Sequence, residues 1–209
     1  MKSMFKDAMI LFAITLIAGI LLGGVYQITK DPIAQQEAQK TENACREVFS
    51  QAASFAQQED FDAETAQEVL DGNGFLEQSI EACQRALDQD GNIAGYVITV
   101  NTHEGYGGDI RFTMGVTADG ILNGISLLEI SETPGLGMRA QEVLVPQFTN
   151  RSVYPFTYVK TGAASEEEID AISGATITTN AVTQGVNAGL CYFENVLRQP
   201  GEGGAGDEN

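Results

Sequence analysis

The chain has 209 residues, enough for one domain of ordinary size and an appendage. Its formal charge of -18 argues against nucleic acid as a partner, because phosphate backbones demand basic patches; the acidity suits solubility, cation-rich surroundings or a basic partner surface instead. Three cysteines without a CxxC pair, and a single histidine, exclude iron–sulfur, zinc-framework and c-type haem chemistry.

Residues Ala8–Tyr26 form an uncharged apolar run of 19 residues. As a helix it spans about 28 Å, close to the ~30 Å hydrocarbon core of a bilayer. Lys2 and Lys6 precede it, opposed only by Asp7, while Lys30 and Asp31 behind it nearly cancel. The positive-inside rule therefore predicts a cytoplasmic N-terminus, with everything after Lys30 on the far side of the cytoplasmic (inner) membrane. A cleaved signal peptide has a shorter apolar core and a small-x-small site. The preferred reading is an uncleaved single-pass anchor over 1–30, its helix covering about residues 8–28. Gly19-x-x-x-Gly23 and Gly24 share a small-residue face; a helix contact and the ordinary glycine content of membrane helices are both open. The run holds no buried ionisable residue, so it forms no ion pathway by itself.

Thr41–Asp71 is rich in Ala, Gln and Glu with interspersed apolar residues, and predicts one or two helices. Asp71-Gly72-Asn73-Gly74 is a turn signal. Phe75–Leu87 predicts another short helix, broken at Asp88–Gly91. Residues 31–90 are thus expected to be a helical membrane-proximal segment. From Ile93 the pattern changes: Ala94–Val100, Asp109–Val116 and Ile121–Ile130 are β-branched runs punctuated by turns such as Thr117–Gly120, and predict antiparallel hairpins. Gln141–Phe148 and Tyr154–Val159 carry weaker signals. Thr179–Leu197 places apolar residues at helical spacing, with one face inward. The glycine-rich acidic tail, within 199–209, is expected to be disordered. The class is α+β: a single transmembrane helix, then a small antiparallel-sheet domain over 91–198 with flanking helices. Cys45 and Cys83 are open to a disulfide or to two buried thiols; Cys191 is expected to pack within the last helix, and His103 to be exposed.

The chemistry concentrates in Asp170-Ala171-Ile172-Ser173-Gly174-Ala175-Thr176-Ile177-Thr178-Thr179. Gly174 and Ala175 leave backbone amides uncovered, Ser173 and Thr178 offer hydroxyls, and a helix N-terminus behind them suits a phosphate. Read from composition alone, the same stretch is more simply an ordinary N-cap by Thr178 or Thr179.

Asp170-x-x-Ser173-Gly174-Ala175-Thr176 resembles the flavinylation motif of the FMN-binding domain family. The resemblance implies that Thr176 carries FMN through a phosphoester bond, installed by a separate flavin transferase. Gly105-Tyr106-Gly107-Gly108 and Ser131-Glu132-Thr133-Pro134-Gly135-Leu136-Gly137 fit the same family in the same order; otherwise they are a glycine hairpin and a Pro-Gly turn. By resemblance the second loop lies beside the flavin ring, with Leu136 and Met138 as apolar contacts, Glu132 and Thr133 at its polar edge, and Gly135 and Gly137 shaping the loop. Anchor, outer domain and motifs together resemble the G subunits of Rnf-type ion-translocating electron transport complexes. They resemble less closely the C subunits of sodium-translocating NADH:quinone reductases, for which the chain is short. The implied function is an electron-carrying flavoprotein without catalytic residues of its own, beside other redox subunits, in a complex moving electrons between ferredoxin and NAD and coupling them to Na⁺ or H⁺ transport. A membrane-tethered flavin sensor would carry more sequence before the anchor, and an extracellular FMN reductase a larger substrate domain; a purely structural adaptor without flavin stays open.

Overall fold

The computed structural model describes residues 2–198; the tail expected to be disordered lies outside them. The chain divides into two compact units, Met1–Glu42 and Asn43–Asn209.

The first unit is the larger part of helix α1, Lys2–Val48. This helix is long and apolar enough to cross a membrane, and its large apolar side chains from Met9 to Ile33 are exposed, as a lipid-facing surface requires. The charge pair Lys30-Asp31 does not end it. The helix continues through Pro32, which removes one backbone hydrogen bond without breaking the long run on either side.

The second unit is built on a five-stranded antiparallel sheet in the order β1-β2-β3-β4-β5. The strands are Ser54–Gln57, Gln78–Leu87, Ile93–Thr102, Ile110–Thr117 and Leu122–Ile130. The last three are the strands that alternation predicts. The first two correct the expected helical segment at 31–90, which is helical only to Val48 and again in α2, Ala63–Gly72. The error at Phe75–Leu87 has a physical source. Buried Ile80, Cys83 and Ala86 recur every third residue, which imitates a helix. In the fold a register shift between Ile80 and Ala82 resets the strand's period, and pairing with β3 overrides the helical propensity of Glu, Ala, Gln and Arg.

Both faces of the sheet are covered. One packs Ile98, Val100, Phe112 and Met114 into the main core beneath the C-terminal helix α4, Thr176–Tyr192. The other buries Val97 and Ala86 against Cys45, Val48 and Phe49 at the end of α1, where Ser126 Oγ donates to Glu47 Oε2 at 2.6 Å. That is why β3 is buried along nearly its whole length. Cys45 and Cys83 fall in these two separate clusters, and no disulfide joins them. Cys191 is buried within α4, as expected.

Between β5 and α4 the chain makes a short helix α3, Ala140–Val143, flanked by 3-10 turns, and a small parallel pair, β6 (Thr157–Val159) and β7 (Glu168–Asp170). The signal at Gln141–Phe148 is therefore helical in outcome. Helix α4 is buried on nearly all sides rather than on one face, because the sheet, α2 and the 156–157 segment enclose it. It ends in a π-helical turn, Phe193–Leu197.

Candidate functional site

Three segments of the second unit meet at the start of α4. The first leads in from β7. Asp170 is held by Gln147: its N–H donates to Gln147 Oε1 at 2.8 Å and its carbonyl accepts from Gln147 Nε2 at 3.0 Å. Its own Oδ1 accepts from the Ala163 N–H at 2.9 Å. The chain then turns through Gly174, whose φ of +79° is a left-handed conformation that glycine adopts without strain. Ala175 is the N-cap and makes no side-chain capping bond. Thr179 Oγ1 is occupied elsewhere, accepting from the Ile172 N–H at 3.1 Å and donating to the Ala175 carbonyl at 3.0 Å. Neither Thr178 nor Thr179 caps the helix, which corrects the N-cap reading. The N–H groups of Thr176, Ile177 and Thr178 find no acceptor among the described residues, and Thr176, the first helical residue, is exposed.

The second segment is the Pro-Gly loop. The Thr133 carbonyl accepts from the N–H groups of Leu136 (3.1 Å) and Met138 (3.3 Å), and Gly135 takes φ +77°. Gly137 is buried against the helix start: a Cβ there would lie 2.6 Å from Thr178 Oγ1 and 2.7 Å from Glu132 Cβ. Only a glycine lets the loop close so tightly.

The third segment is Gly105–Gly108. Glu132 reaches it from the second loop, its Oε1 accepting from the N–H groups of Tyr106 (2.8 Å) and Gly107 (3.3 Å). Side chains at Gly105 and Gly107 would strike the carbonyls of Gly108 and Ser131. Behind this loop Asp109 bonds His103 Nδ1 at 2.9 Å and Asn101 Nδ2 at 3.3 Å; the His103 bond, then the Asn101 bond, hold its carboxyl below the usual value. His103 is half exposed, as expected.

Together the segments enclose a cleft of about 500 Å³, within the range of pockets that hold cofactor-sized ligands. Of the residues named from the sequence, Gly174, Ala175, Thr176 and Thr178 line it from the helix side, and Glu132, Thr133, Leu136 and Gly137 from the loop side. Asp170, Ser173, Gly135 and Met138 do not. Asp170 braces the approach to the helix, and Gly135 shapes the loop. Two further lining residues, Tyr106 and Ile177, lie inside segments singled out from the sequence but were assigned no role there. Each is a lone large side chain among small residues, which marks it within its segment. Tyr106 is 69% exposed, Ile177 52% and Leu136 41%, so the rim offers apolar surface to a flat ring. The floor offers uncapped N–H groups to an anion, with a threonine hydroxyl among them. The residues present thus fit a flavin phosphate.

A family profile described as FMN-binding domain matches residues 105–190, which span all three segments. A second, described as RnfG N-terminal region, matches residues 1–48. The G subunit of the Na⁺-translocating ferredoxin:NAD⁺ oxidoreductase complex of Acetobacterium woodii is 33% identical over 200 residues, 94% of this chain and 95% of that protein. The G subunit of an ion-translocating oxidoreductase complex of Methanosarcina acetivorans is 30% identical over 91% of this chain and 95% of that one. The G subunit of the proton-translocating ferredoxin:NAD⁺ oxidoreductase complex of Clostridium ljungdahlii is 31% identical over 87% and 90%. The crystal structure of Shewanella oneidensis NqrC superposes with a TM-score of 0.45 at 17% identity, covering 71% of this chain and 84% of that one.

Proposed function

The chain belongs to the family of G subunits of Rnf-type ion-translocating oxidoreductase complexes, and we propose that within such a complex it is the membrane-anchored member carrying electrons through FMN bonded to Thr176. The observation that carries the reading is the position of Thr176: exposed, first in α4, and opening on the 500 Å³ cleft.

FMN supplies one- and two-electron redox chemistry when bound. The chain's residues bind and orient it. The free N–H groups at the start of α4 receive the phosphate. Tyr106, Leu136 and Ile177 give the ring apolar contact, and Glu132 ties the two glycine loops into one rim. A carrier needs no substrate base or nucleophile.

A separate flavin transferase would install the group, with Thr176 Oγ as the atom that would be bonded to the flavin phosphate and the N–H groups at the start of α4 as the donors that would hold it. The α1 helix anchors the protein in the cytoplasmic membrane with its N-terminus inside, and places the flavin domain outside beside other redox subunits. There it joins electron flow between ferredoxin and NAD⁺ coupled to Na⁺ or H⁺ transport.

The test is co-expression with a flavin transferase, followed by a denaturing gel viewed under ultraviolet light. Wild type is expected to give a fluorescent band and Thr176→Ala none. An unlabelled wild-type chain sinks the reading.

A further inference from the structure

Glu132 is only 6% exposed, yet its carboxylate lines the cleft. Its Oε1 is taken by the N–H groups of Tyr106 and Gly107. Its Oε2 lies at the bare face of Gly137, beside Thr178 Oγ1 in the first turn of α4. None of the residues lining the cleft is basic. The positive field available to an anion is therefore that of the helix terminus, worth about half an elementary charge. Against it stands one buried carboxylate in the same cleft.

We infer that Glu132 sets the charge the cleft accepts, admitting a flavin phosphate esterified to protein and rejecting free FMN. An esterified phosphate carries one negative charge, of which the helix terminus offsets about half. A free phosphate monoester carries about 1.5 to 2 near pH 7, and the excess meets Glu132. The protein is then loaded by attachment rather than by affinity, and a chain not yet modified leaves free FMN in solution. The inference rests on reading the cleft as the flavin site with Thr176 as its attachment point.

The test uses the full chain in detergent micelles with Thr176→Ala, which no flavin can esterify. Riboflavin, FMN and the monomethyl ester of FMN are titrated against it by flavin fluorescence. The methyl ester is expected to bind at least about five-fold more tightly than FMN, the effect of one like charge roughly 4 Å away even at the dielectric of water. Adding Glu132→Gln keeps an oxygen acceptor for Tyr106 and Gly107, and is expected to bring the two ligands within about two-fold. FMN binding as well as its ester, a gap unchanged by Glu132→Gln, or no binding by any of the three overturns the inference. Wild type co-expressed with the transferase is the control. If it carries no covalent flavin, the parent reading fails as well; if it is labelled while the titrations go the other way, only the charge selection fails.

Discussion

Asn187 lies in the buried middle of α4 and spends its whole amide on one neighbour. Its Oδ1 accepts from the Phe156 N–H and its Nδ2 donates to the Phe156 carbonyl, both at 2.8 Å. The pair fastens the irregular 154–157 segment to the helix and satisfies two buried backbone groups. Asn187→Ala leaves both without partners, and is expected to lower unfolding stability by about 2–4 kcal/mol, read as a shift in the urea midpoint. Asn187→Leu is expected to do no better, because added apolar volume does not satisfy Phe156. Nothing along the chain warns of this role: one asparagine in an apolar helix is equally a solvent-facing residue. The same is true of Glu132, whose identity is plain but whose carboxylate is committed to a loop 25 residues away. Thr176 is the opposite case, since its position in the motif and just before a helix is written in the chain.

At the scale of elements, the seating of α4 on the sheet depends on two glycines one turn apart. Cβ atoms at Gly185 and Gly189 would strike the Phe112 ring and the Met114 sulfur, so the helix carries a groove that these two core side chains fill. Gly189→Ala gains up to about 1 kcal/mol of helix propensity but overpacks the core, at a cost of roughly 1–3 kcal/mol. A lower melting temperature is expected by calorimetry. Gly72, in α2, has open space where its Cβ would go, so Gly72→Ala is expected to be neutral or stabilising. The contrast separates packing from propensity, and equal effects at the two positions would refute it. Three predicted strands and the last helix were legible from β-branched runs between turns and from helically spaced apolar residues, although β3 and α4 are buried well beyond one face. Strand β2 was not, because its register shift broke the alternation, and β6 and β7 are three residues each, too short for any period.

For the molecule as a whole, two consequences follow from the second unit's core. Burial pushes the Cys83 thiol up to about 12 and raises the Tyr192 hydroxyl. Unfolded, the thiol titrates near 9.0 and the phenol near 10.0. Because the folded values are the higher ones, this stability is full below about pH 9 and is lost as pH rises toward 12. Urea midpoints measured from about pH 8 to 11 are expected to fall, with Cys83 unreactive toward thiol reagents at the lower end until the chain unfolds. A flat profile counts against the buried placement. The second consequence concerns the unit boundary at Glu42–Asn43. A fragment of residues 43–198 retains Cys45, Val48 and Phe49, which cover Val97 and Ala86, and is expected to fold without the membrane helix. A fragment of 51–198 uncovers that face and is expected to be less stable and prone to associate; equal melting temperatures for the two would show the cover to be dispensable.

Features that depend on neighbours along the chain could be read before any fold was known. These are an apolar run long enough for a bilayer, alternating strands, a helical apolar face, and a hydroxyl-rich motif just before a helix. Hydrophobic period and turn chemistry are local properties, and they survive folding unchanged. Features that depend on residues distant in sequence had to wait for the folded chain. There 54–57 and 78–87 complete the sheet, with α2 between them. Thr179 turns back to Ile172 and leaves the start of α4 uncapped. Tyr106, Glu132 and Thr176 come to one cleft, with Glu132 its one charged side chain. Those outcomes follow from strand pairing and close glycine contacts, which no single stretch of sequence encodes.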